Sequence, residues 1–234
     1  MIMRKITILS FLLIFALGVK AQDVYNPNVA IRPIVSMSVY KVSMTKTATV
    51  VIVRLRNQNM LTPFSIKSKD LIIRKSGEPD AYKLIKSENV PFFPEKHTFS
   101  YKDEILEFTL YFPPMPQPVK YFDIQEAGAD KQFYLQGVIL DLPLNREITK
   151  GFRASQMGDL NLALEAFVNV AEMDMYFEFG LAYFNIIYIL AEKKRWAEAA
   201  EWYKKFQERF FYDKKLYSNE FARMGIIQRL EDGR

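Results

Sequence analysis

The segment KRWAEAAEWYKKF, residues 194–206, decides how the second half of the chain folds. Taken alone, two tryptophans flanked by charges would suit a helix lying on a membrane surface. The segment GDLNLALEAFVNV, residues 158–170, lies 36 residues upstream and repeats its spacing of small and apolar residues without the tryptophans or lysines. A fixed period in the thirties predicts a repeated helical hairpin. The shared pattern is therefore one of packing, and we expect both segments to be second helices of stacked hairpins.

The second half is similar to the tetratricopeptide repeat family. Gly151 matches the small residue of the family's first helix, and Gly158-Asp159-Leu160 matches its turn. The small and large positions of the second helix are matched by Ala163, Phe167 and Val170, and again by Ala199, Tyr203 and Phe206. The closing proline is missing, the last small position is larger, and the 36-residue offset exceeds the family's period. The resemblance implies a short array of helical hairpins with a concave, protein-binding side.

Helical periodicity continues to the end of the chain. It predicts five helices, at about 145–157, 159–173, 176–193, 196–210 and 216–231. The third is apolar almost all round, which is typical of a helix buried between neighbours. The fifth carries an apolar stripe and is expected to cap the stack. Trp196 and Trp202 fall on different faces of the fourth, so one should pack within its hairpin and the other against a neighbour or at the surface.

Short bursts of alternating residues separated by turn-formers fill the first half. They predict about seven strands, at 34–42, 48–57, 70–75, 81–86, 104–112, 121–125 and 133–142. In the first, alternation places Met37, Val39 and Lys41 on one face. Strands at this spacing without intervening helices favour an immunoglobulin-like antiparallel β-sandwich. The fold class is therefore β then α.

The run FTLYFPPMPQPVKYFDIQE (108–126), preceded by TVVIVRLRNQN and followed by FYLQGVIL, is similar to β-sandwich domains of exported bacterial proteins. This resemblance implies a β-sandwich fold and export from the cytoplasm, and it says little about activity. The prolines from Pro113 to Pro118 also contain the P-x-x-P spacing that groove-type domains recognise. Because the segment lies between two predicted strands, we interpret it as a stiff connection.

The chain opens with Arg4 and Lys5, an apolar run and Ala21, which is the layout of a secretory signal peptide. The run is too short to span a bilayer, so we expect cleavage after Ala21 and no transmembrane segment afterwards. The predicted domains are a signal peptide (1–21), the sandwich (22–143) and the helical domain (144–234). The connection from Pro143 to Arg146 is too short for free swinging, so the sandwich should pack on the first hairpin.

The chain contains no cysteine, which excludes disulfides, thiol catalysis and a lipid-carrying cysteine. We therefore expect an exported protein that is not a lipoprotein, in the periplasm or at the cell surface of a Gram-negative bacterium. The formal charge is +5, and removing residues 1–21 leaves 29 basic and 27 acidic side chains. Neither half is polarised in charge, so no nucleic-acid partner is expected.

Few residues point to chemistry. His97 is the one histidine, and it is interpreted as a solvated loop residue, since a catalytic triad or a histidine metal site would need further partners. The acids Glu78, Asp80, Asp103 and Glu104 are too scattered for a calcium loop. No glycine loop that could cradle phosphate is present. Catalytic carboxylate pairs could still meet in the fold, but nothing marks one. We therefore expect no enzymatic activity, cofactor or metal.

The faces of the predicted hairpins provide the candidate partner-binding residues. On the first helix these are Arg146, Lys150 and Arg153; on the third they are Glu178, Asn185 and Tyr188. The alternative interpretation is that all six are ordinary solvated groups. The expected function is a protein-protein interaction or scaffold protein of the cell envelope. The alternative is a carbohydrate-binding or carbohydrate-processing accessory protein, because aromatic residues make up 15% of the chain. The partner and the oligomeric state stay open.

Overall fold

A computed structural model describes residues 22–58, 62–128, 131–173 and 177–232. Two antiparallel sheets precede six helices within these ranges. The strands are β1 (Gln22–Tyr25), β2 (Val29–Ile31), β3 (Met37–Met44), β4 (Thr49–Arg56), β5 (Leu71–Lys75), β6 (Ala81–Lys83), β7 (Lys86–Glu88), β8 (Ile105–Phe112), β9 (Tyr121–Glu126) and β10 (Tyr134–Ile139). The helices are α1 (Leu142–Gln156), α2 (Leu160–Met173), α3 (Leu181–Glu192), α4 (Trp196–Glu208), α5 (Lys214–Arg223) and α6 (Ile226–Asp232). The predicted order, β then α, is confirmed, whereas the predicted signal peptide lies outside the described residues.

The two sheets share one hydrophobic core. Sheet I has the strand order β1-β3-β4-β8-β7, and sheet II has the order β2-β10-β9-β5-β6. Alternate residues such as Val51, Val53 and Leu55 of sheet I are buried in the same cluster as Ile73 and Ile124 of sheet II. Residues 113–120, which contain the Pro-rich run, connect β8 of sheet I to β9 of sheet II, as the interpretation of that run required.

The alternation predicted for β3 is interrupted in the middle of the strand. Its pairing with β4 shifts between Val39 and Lys41, which is the signature of a β-bulge at Tyr40. The extra residue reverses the faces, so Val42 is fully buried and Lys41 lies outside, where it pairs with Asp23. The prediction that Lys41 shares the inner face with Val39 was therefore wrong.

More strands form than the seven predicted. The described residues contain ten, because β1 and β2 precede the first predicted strand and the predicted strand 81–86 is divided. Its two halves lie in different sheets: β6 pairs with β5, whereas β7 pairs with β8. The chain thus crosses between the sheets at residues 84–85, and a single burst of alternation carries no signal for such a crossing.

The helices form two hairpins of matching geometry. α1 and α2 are joined by residues 157–159, and α3 and α4 by residues 193–195, again at an offset of 36. Gly158 and Lys194, which correspond at this offset, both have a left-handed backbone, with φ of 78° and 57°. Ala163 and Ala199 are both fully buried. The predicted period is therefore present in the turns as well as in the packing.

Close contacts explain the positions of one glycine and of both tryptophans in the hairpins. A Cβ atom added to Gly151 on α1 would lie 2.8 Å from the Phe167 ring on α2, so a larger residue would require the ring to shift. On α4, Trp202 packs edge-on against Tyr183 of α3, and Arg229 of α6 lies over the Trp196 ring. One tryptophan thus packs within its hairpin and the other against a neighbour, as predicted.

Three helix boundaries differ from the prediction. α1 begins at Leu142, because Asp141 caps it and accepts a hydrogen bond from the Leu144 N–H at 3.1 Å. Residues 177–180 are not helical: Phe177 and Phe179 are both buried, a period-two pattern that suits an extended segment. The prediction of a single last helix was wrong, because Gly225 has a φ of 68° and separates α5 from α6. The described residues therefore contain six helices and not five.

Sheet II packs directly against the helices. Asn28, just before β2, donates its backbone N–H to the Asn145 side chain of α1 at 2.8 Å. Asn145 in turn donates to the Ile139 carbonyl at 2.5 Å, and the Ile139 side chain belongs to the core of the helices. A Cβ atom on Gly137 would lie 2.6 Å from the Phe179 ring. The predicted packing on the first hairpin is present, and the segment before α3 adds a second contact.

Candidate functional site

A groove lies between strand β1 and helices α1 and α2, with a volume of about 650 Å³. This size falls within the range of roughly 300–1,000 Å³ that is usual for ligand sites. We call it the β1–α1 groove. It is lined by Val24, Tyr25, Asn26, Leu142, Asn145, Arg146, Thr149, Lys150, Arg153, Ala154, Met157, Asp159 and Leu162. The predicted residues of the first helix, Arg146, Lys150 and Arg153, therefore come together on one wall.

The sequence of α1 places these cations on the groove. Ile148 and Gly151 face the helical core and are buried, whereas the cations recur four and then three residues apart on another face. Thr149 lies between them on the same wall, and its hydroxyl accepts a hydrogen bond from the Asn28 side-chain amide at 3.1 Å. The contact that fixes α1 on sheet II thus also fixes the wall of the groove.

Two of the three cations have no acidic partner among the described residues. Lys150 lies 3.1 Å from Glu165, and this pairing, with a smaller contribution from Glu147, raises the pKa of the lysine. Asp159 accepts a hydrogen bond from the Leu162 N–H at 3.0 Å and so caps the start of α2. Arg146 and Arg153 form no ion pair within the described ranges, and both are exposed. The groove therefore offers two guanidinium groups to an anion.

Apolar side chains are exposed along the same groove. Tyr25, Leu142, Met157 and Leu162 are four of the large apolar residues that remain exposed in the described chain. Met157 is 85% exposed, at the C-cap of α1. Tyr25 meets the edge of the Tyr40 ring, and the Lys41 ammonium lies 5.0 Å from its centre. Exposed apolar groups that are gathered in one concave place typically mark an interaction site.

The three predicted residues of the third helix do not line the β1–α1 groove. Glu178 precedes α3 and lies against Gly77 of the sheets, where its backbone carbonyl accepts from the Tyr212 N–H at 3.0 Å. The Asn185 side chain donates to the Leu181 carbonyl of its own helix at 2.7 Å. Tyr188 lines a separate hollow beside Trp196 and Arg229. The structure therefore divides the six candidates among different places.

His97 is more ordered than its interpretation as a solvated residue suggested. Its Nε2 atom lies 2.9 Å from a Glu104 oxygen, and the ring meets Phe99 edge-on. Glu104 also accepts from the Ser100 backbone N–H, and this bond, followed by that of His97, lowers the pKa of the carboxyl. The pair joins the loop to the entry of β8. Among the described residues no group of three or more His, Cys, Asp or Glu side chains could hold a metal.

Comparisons of the chain with protein-family models, with curated proteins and with solved structures find no match. In the part of the chain that the structure describes, none of the helices has both the length and the apolar character needed to cross a membrane.

The residues predicted for the first helix lie on one wall of the groove, whereas no residue of the other wall was predicted. Tyr25 and Asn26 lie about 120 residues before Arg146, and nothing local to β1 marks them. Leu142, Met157 and Leu162 follow the helical period but stay outside the core, because they face β1 or solvent. No pattern in the sequence distinguishes the apolar residues that cluster at the surface of the groove from those that are buried in the core.

Proposed function

We propose that this chain is an exported, non-enzymatic interaction protein of the bacterial cell envelope, and that it binds a peptide segment of a partner in the β1–α1 groove. The observation that carries this function is the lining of the groove, where exposed apolar side chains lie beside two guanidinium groups that have no acidic partner in the described part of the chain. Arginine forms bidentate hydrogen bonds with carboxylates, and apolar groups bury a partner's side chains. A peptide with both acidic and apolar residues suits this combination.

The peptide is favoured over the carbohydrate alternative by the arrangement of the aromatic groups. Tyr25 is the one aromatic side chain among the described residues that line the groove. One neighbour, Tyr40, meets it edge-on, and Lys41 lies over its ring. A ring that is already in contact with a cation offers less open surface for stacking on a sugar. Apolar aliphatic groups make up most of the remaining uncharged lining, and they suit the side chains of a peptide.

We also propose the finer fold assignments. Two antiparallel sheets on one core support an immunoglobulin-like sandwich. Hairpin connections that recur after 36 residues, with Ala163 and Ala199 buried in register, support tetratricopeptide-like hairpins. The proposed interaction role is consistent with both assignments.

Export is the part of the proposal that rests on the sequence, from the basic start and apolar run before Ala21. Expression of the full chain in a Gram-negative host, followed by fractionation and N-terminal sequencing, tests it. We expect periplasmic or extracellular protein that begins at Gln22. Protein that keeps Met1 and stays in the cytoplasm would contradict export without affecting the groove.

The binding function is tested with a displayed peptide library. Peptides are selected on the purified protein, and their affinities are measured for wild type and for the double variant Arg146→Glu/Arg153→Glu. We expect acidic, partly apolar peptides whose affinity falls about 10-fold or more in the variant, because a close like charge replaces an attraction. The affinity of the wild type should also fall as salt is added.

A matched control changes the same charge elsewhere. The double variant Lys46→Glu/Lys215→Glu reverses two exposed cations outside the groove and should keep wild-type affinity. Equal losses of affinity in both variants would show that the effect comes from net charge, and they would contradict binding in the groove. A glycan array measured in parallel distinguishes the alternative, since specific glycan binding without any selected peptide would favour carbohydrate recognition.

A further inference from the structure

The groove runs along an open edge of sheet I. In the order β1-β3-β4-β8-β7, strand β1 has a partner on one side, β3, and none on the other within the described chain. The residues of β1 and its end that line the groove are Val24, Tyr25 and Asn26. The Val24 side chain is buried in the core of the sheets, so this residue meets the groove chiefly through its backbone. An edge strand with free backbone groups is a template for another strand.

The pairing of β1 with β3 shows which backbone groups are free. The Asn26 N–H donates to the Tyr40 carbonyl at 2.8 Å. Residues along an antiparallel strand direct their N–H and C=O groups to alternate sides. Val24, two residues before Asn26, therefore also bonds to β3, whereas Asp23 and Tyr25 direct their backbone groups toward the open edge. A strand placed in the groove would find the backbone groups of Tyr25 there, and those of Asp23 where the same edge continues beyond the groove.

The nearest edge of sheet II is protected in a way that β1 is not. Asn28, which precedes β2, has its backbone N–H occupied by Asn145 of α1 and its side chain held by Thr149. Helix α1 thus covers the start of β2, whereas a gap remains between this helix and β1. The β1 edge is consequently the one that opens into a groove with charged and apolar walls.

The charges beside this edge favour an added strand with acidic side chains. Asp23 is the acid on β1, and Lys41 neutralises it at 2.8 Å. Arg146 and Arg153 face the groove without acidic partners in the described residues. Alternate side chains of an added strand point to opposite faces. Arg146 and Arg153 recur on the same stripe of α1 as Leu142 and Met157, so the set that faces this helix would meet both the cations and the apolar groups.

We infer that the partner segment is an extended peptide that carries acidic and apolar residues and adds to β1 as a further strand of sheet I. This inference rests on the proposed function and specifies its binding mode. Backbone hydrogen bonds to Asp23 and Tyr25 would supply affinity, and the alternating side chains would supply specificity.

The test uses peptides of defined sequence and the intact protein. The probe is an acetylated, amidated heptapeptide in which glutamate alternates with valine, and a matched peptide carries lysine in place of glutamate. Two further versions carry N-methyl groups on alternate amides, one on each edge of the strand. Binding is measured by calorimetry, and protection of the Asp23 and Tyr25 amides is measured by hydrogen exchange. All changes are in the peptide, so the fold of the protein is unaffected.

We expect the glutamate peptide to bind at least about 10-fold more tightly than the lysine peptide. One N-methylated version should lose binding, whereas the version methylated on the other edge should keep it. The Asp23 and Tyr25 amides should exchange more slowly when the peptide is bound.

Binding that tolerates both methylations and leaves these amides unprotected would overturn strand addition, while the groove would still be a peptide site. Failure of the glutamate peptide, when peptides selected from the library do bind and depend on Arg146 and Arg153, would also overturn this inference alone. If neither the probe nor any library peptide binds, the proposed function itself is wrong.

Discussion

At the scale of single residues, the first hairpin packs the Phe167 ring against Gly151. The glycine lies in the interior of α1, where it costs helix stability relative to alanine. Its presence is explained by the ring, since a Cβ atom would approach three ring carbons at under 3 Å. Close packing of the two helices therefore outweighs helix propensity at this position.

The first prediction concerns Gly151→Ala. The methyl group should destabilise the protein by about 1–3 kcal/mol through overpacking, although alanine is the better helix former. Urea unfolding measures the change in the free energy of unfolding. The double variant Gly151→Ala/Phe167→Leu is the control, because a smaller side chain opposite should recover part of the loss. A more stable Gly151→Ala protein would contradict the contact.

A second residue of note is Asp213, which precedes α5 and is only 2% exposed. Its Oδ1 atom accepts from the Gly180 N–H at 2.6 Å and so anchors the extended segment before α3. Burial is the largest cause that raises the pKa of this carboxyl, to about 6, and the bond from Gly180 only partly offsets it. The Tyr217 hydroxyl is buried beside the carboxyl, and its pKa is also raised.

The second prediction follows from the sign of this pKa shift. Because the folded protein binds the Asp213 proton more tightly than the unfolded chain, this residue favours the folded state most below about pH 4, and the benefit is lost as pH rises to about 6. Asp213→Asn keeps an acceptor for Gly180 and cannot ionise. Relative to wild type it should gain about 2–3 kcal/mol between pH 4 and pH 7. Urea unfolding at both values measures this, with Glu201→Gln as the exposed control. A difference independent of pH would contradict the shift.

At the scale of elements, the two hairpin turns share a left-handed residue, but only one of them uses glycine. Gly158 adopts this conformation freely, whereas Lys194 adopts it at a cost. The backbone N–H groups that follow bond to the preceding helix in the same way, from Asp159 to Ala154 and from Arg195 to Leu190. The turn is therefore dictated by the hairpin geometry rather than by the residue type.

The third prediction is that Lys194→Gly stabilises the protein, by about 0.5–1 kcal/mol, because it removes the strain of a left-handed side-chain residue. Thermal unfolding should show a higher midpoint. The reciprocal variant, Gly158→Ala, should lower the midpoint, since there the strain is introduced. Opposite signs at the two equivalent positions are the expected signature; a shift in the same direction for both would argue against equivalent turns.

Some features of the helices and strands follow from local sequence patterns, whereas others depend on residues that are distant in the chain. The hairpins could be predicted because their period is a local property of small and aromatic residues. The β3 bulge could not, since one extra residue at Tyr40 reverses the faces without changing composition. Residues 177–180 were predicted as helix from their apolar character, but burial against sheet II and the Asp213 bond hold them outside the helix. The groove needs β1 and α1 together, and no local pattern encodes their meeting.

At the scale of the whole molecule, the sheets and the helices share an interface with polar and apolar parts. Asn145 forms the polar part, with bonds to Asn28 and to the Ile139 carbonyl. Tyr121 of β9 packs edge-on against Phe177, and Gly137 receives the Phe179 ring. Ile139 is counted in the core of the helices although it ends a strand of sheet II. The two regions are therefore expected to unfold together.

The fourth prediction tests this coupling with Asn145→Ala, which leaves the Asn28 N–H and the Ile139 carbonyl without their partner. We expect a loss of about 2–4 kcal/mol, from one buried and one partly buried group left unsatisfied. Both tryptophans lie in α4, so fluorescence reports on the helices, and hydrogen exchange of β9 and β10 reports on the sheets. Wild type should give coincident transitions, and the variant should separate them.

The control for this coupling is Asn161→Ala, which removes an exposed asparagine bonded only to Lys193 among the described residues. It should keep the transitions coincident. Separate transitions already in wild type would show that the sheets and the helices are independent units.

Helix α1 contacts sheet II through one face and lines the groove with another, so occupancy of the groove and docking of the helices on sheet II are thermodynamically linked. A ligand that touches both β1 and α1 binds only the docked arrangement. The ligand therefore adds RT ln(1 + [L]/Kd) to the stability of the docked arrangement, about 2.7 kcal/mol at a ligand concentration 100 times Kd. The partner would thus act as a clamp on the chain that binds it, and resistance to proteolysis would rise with the partner's abundance.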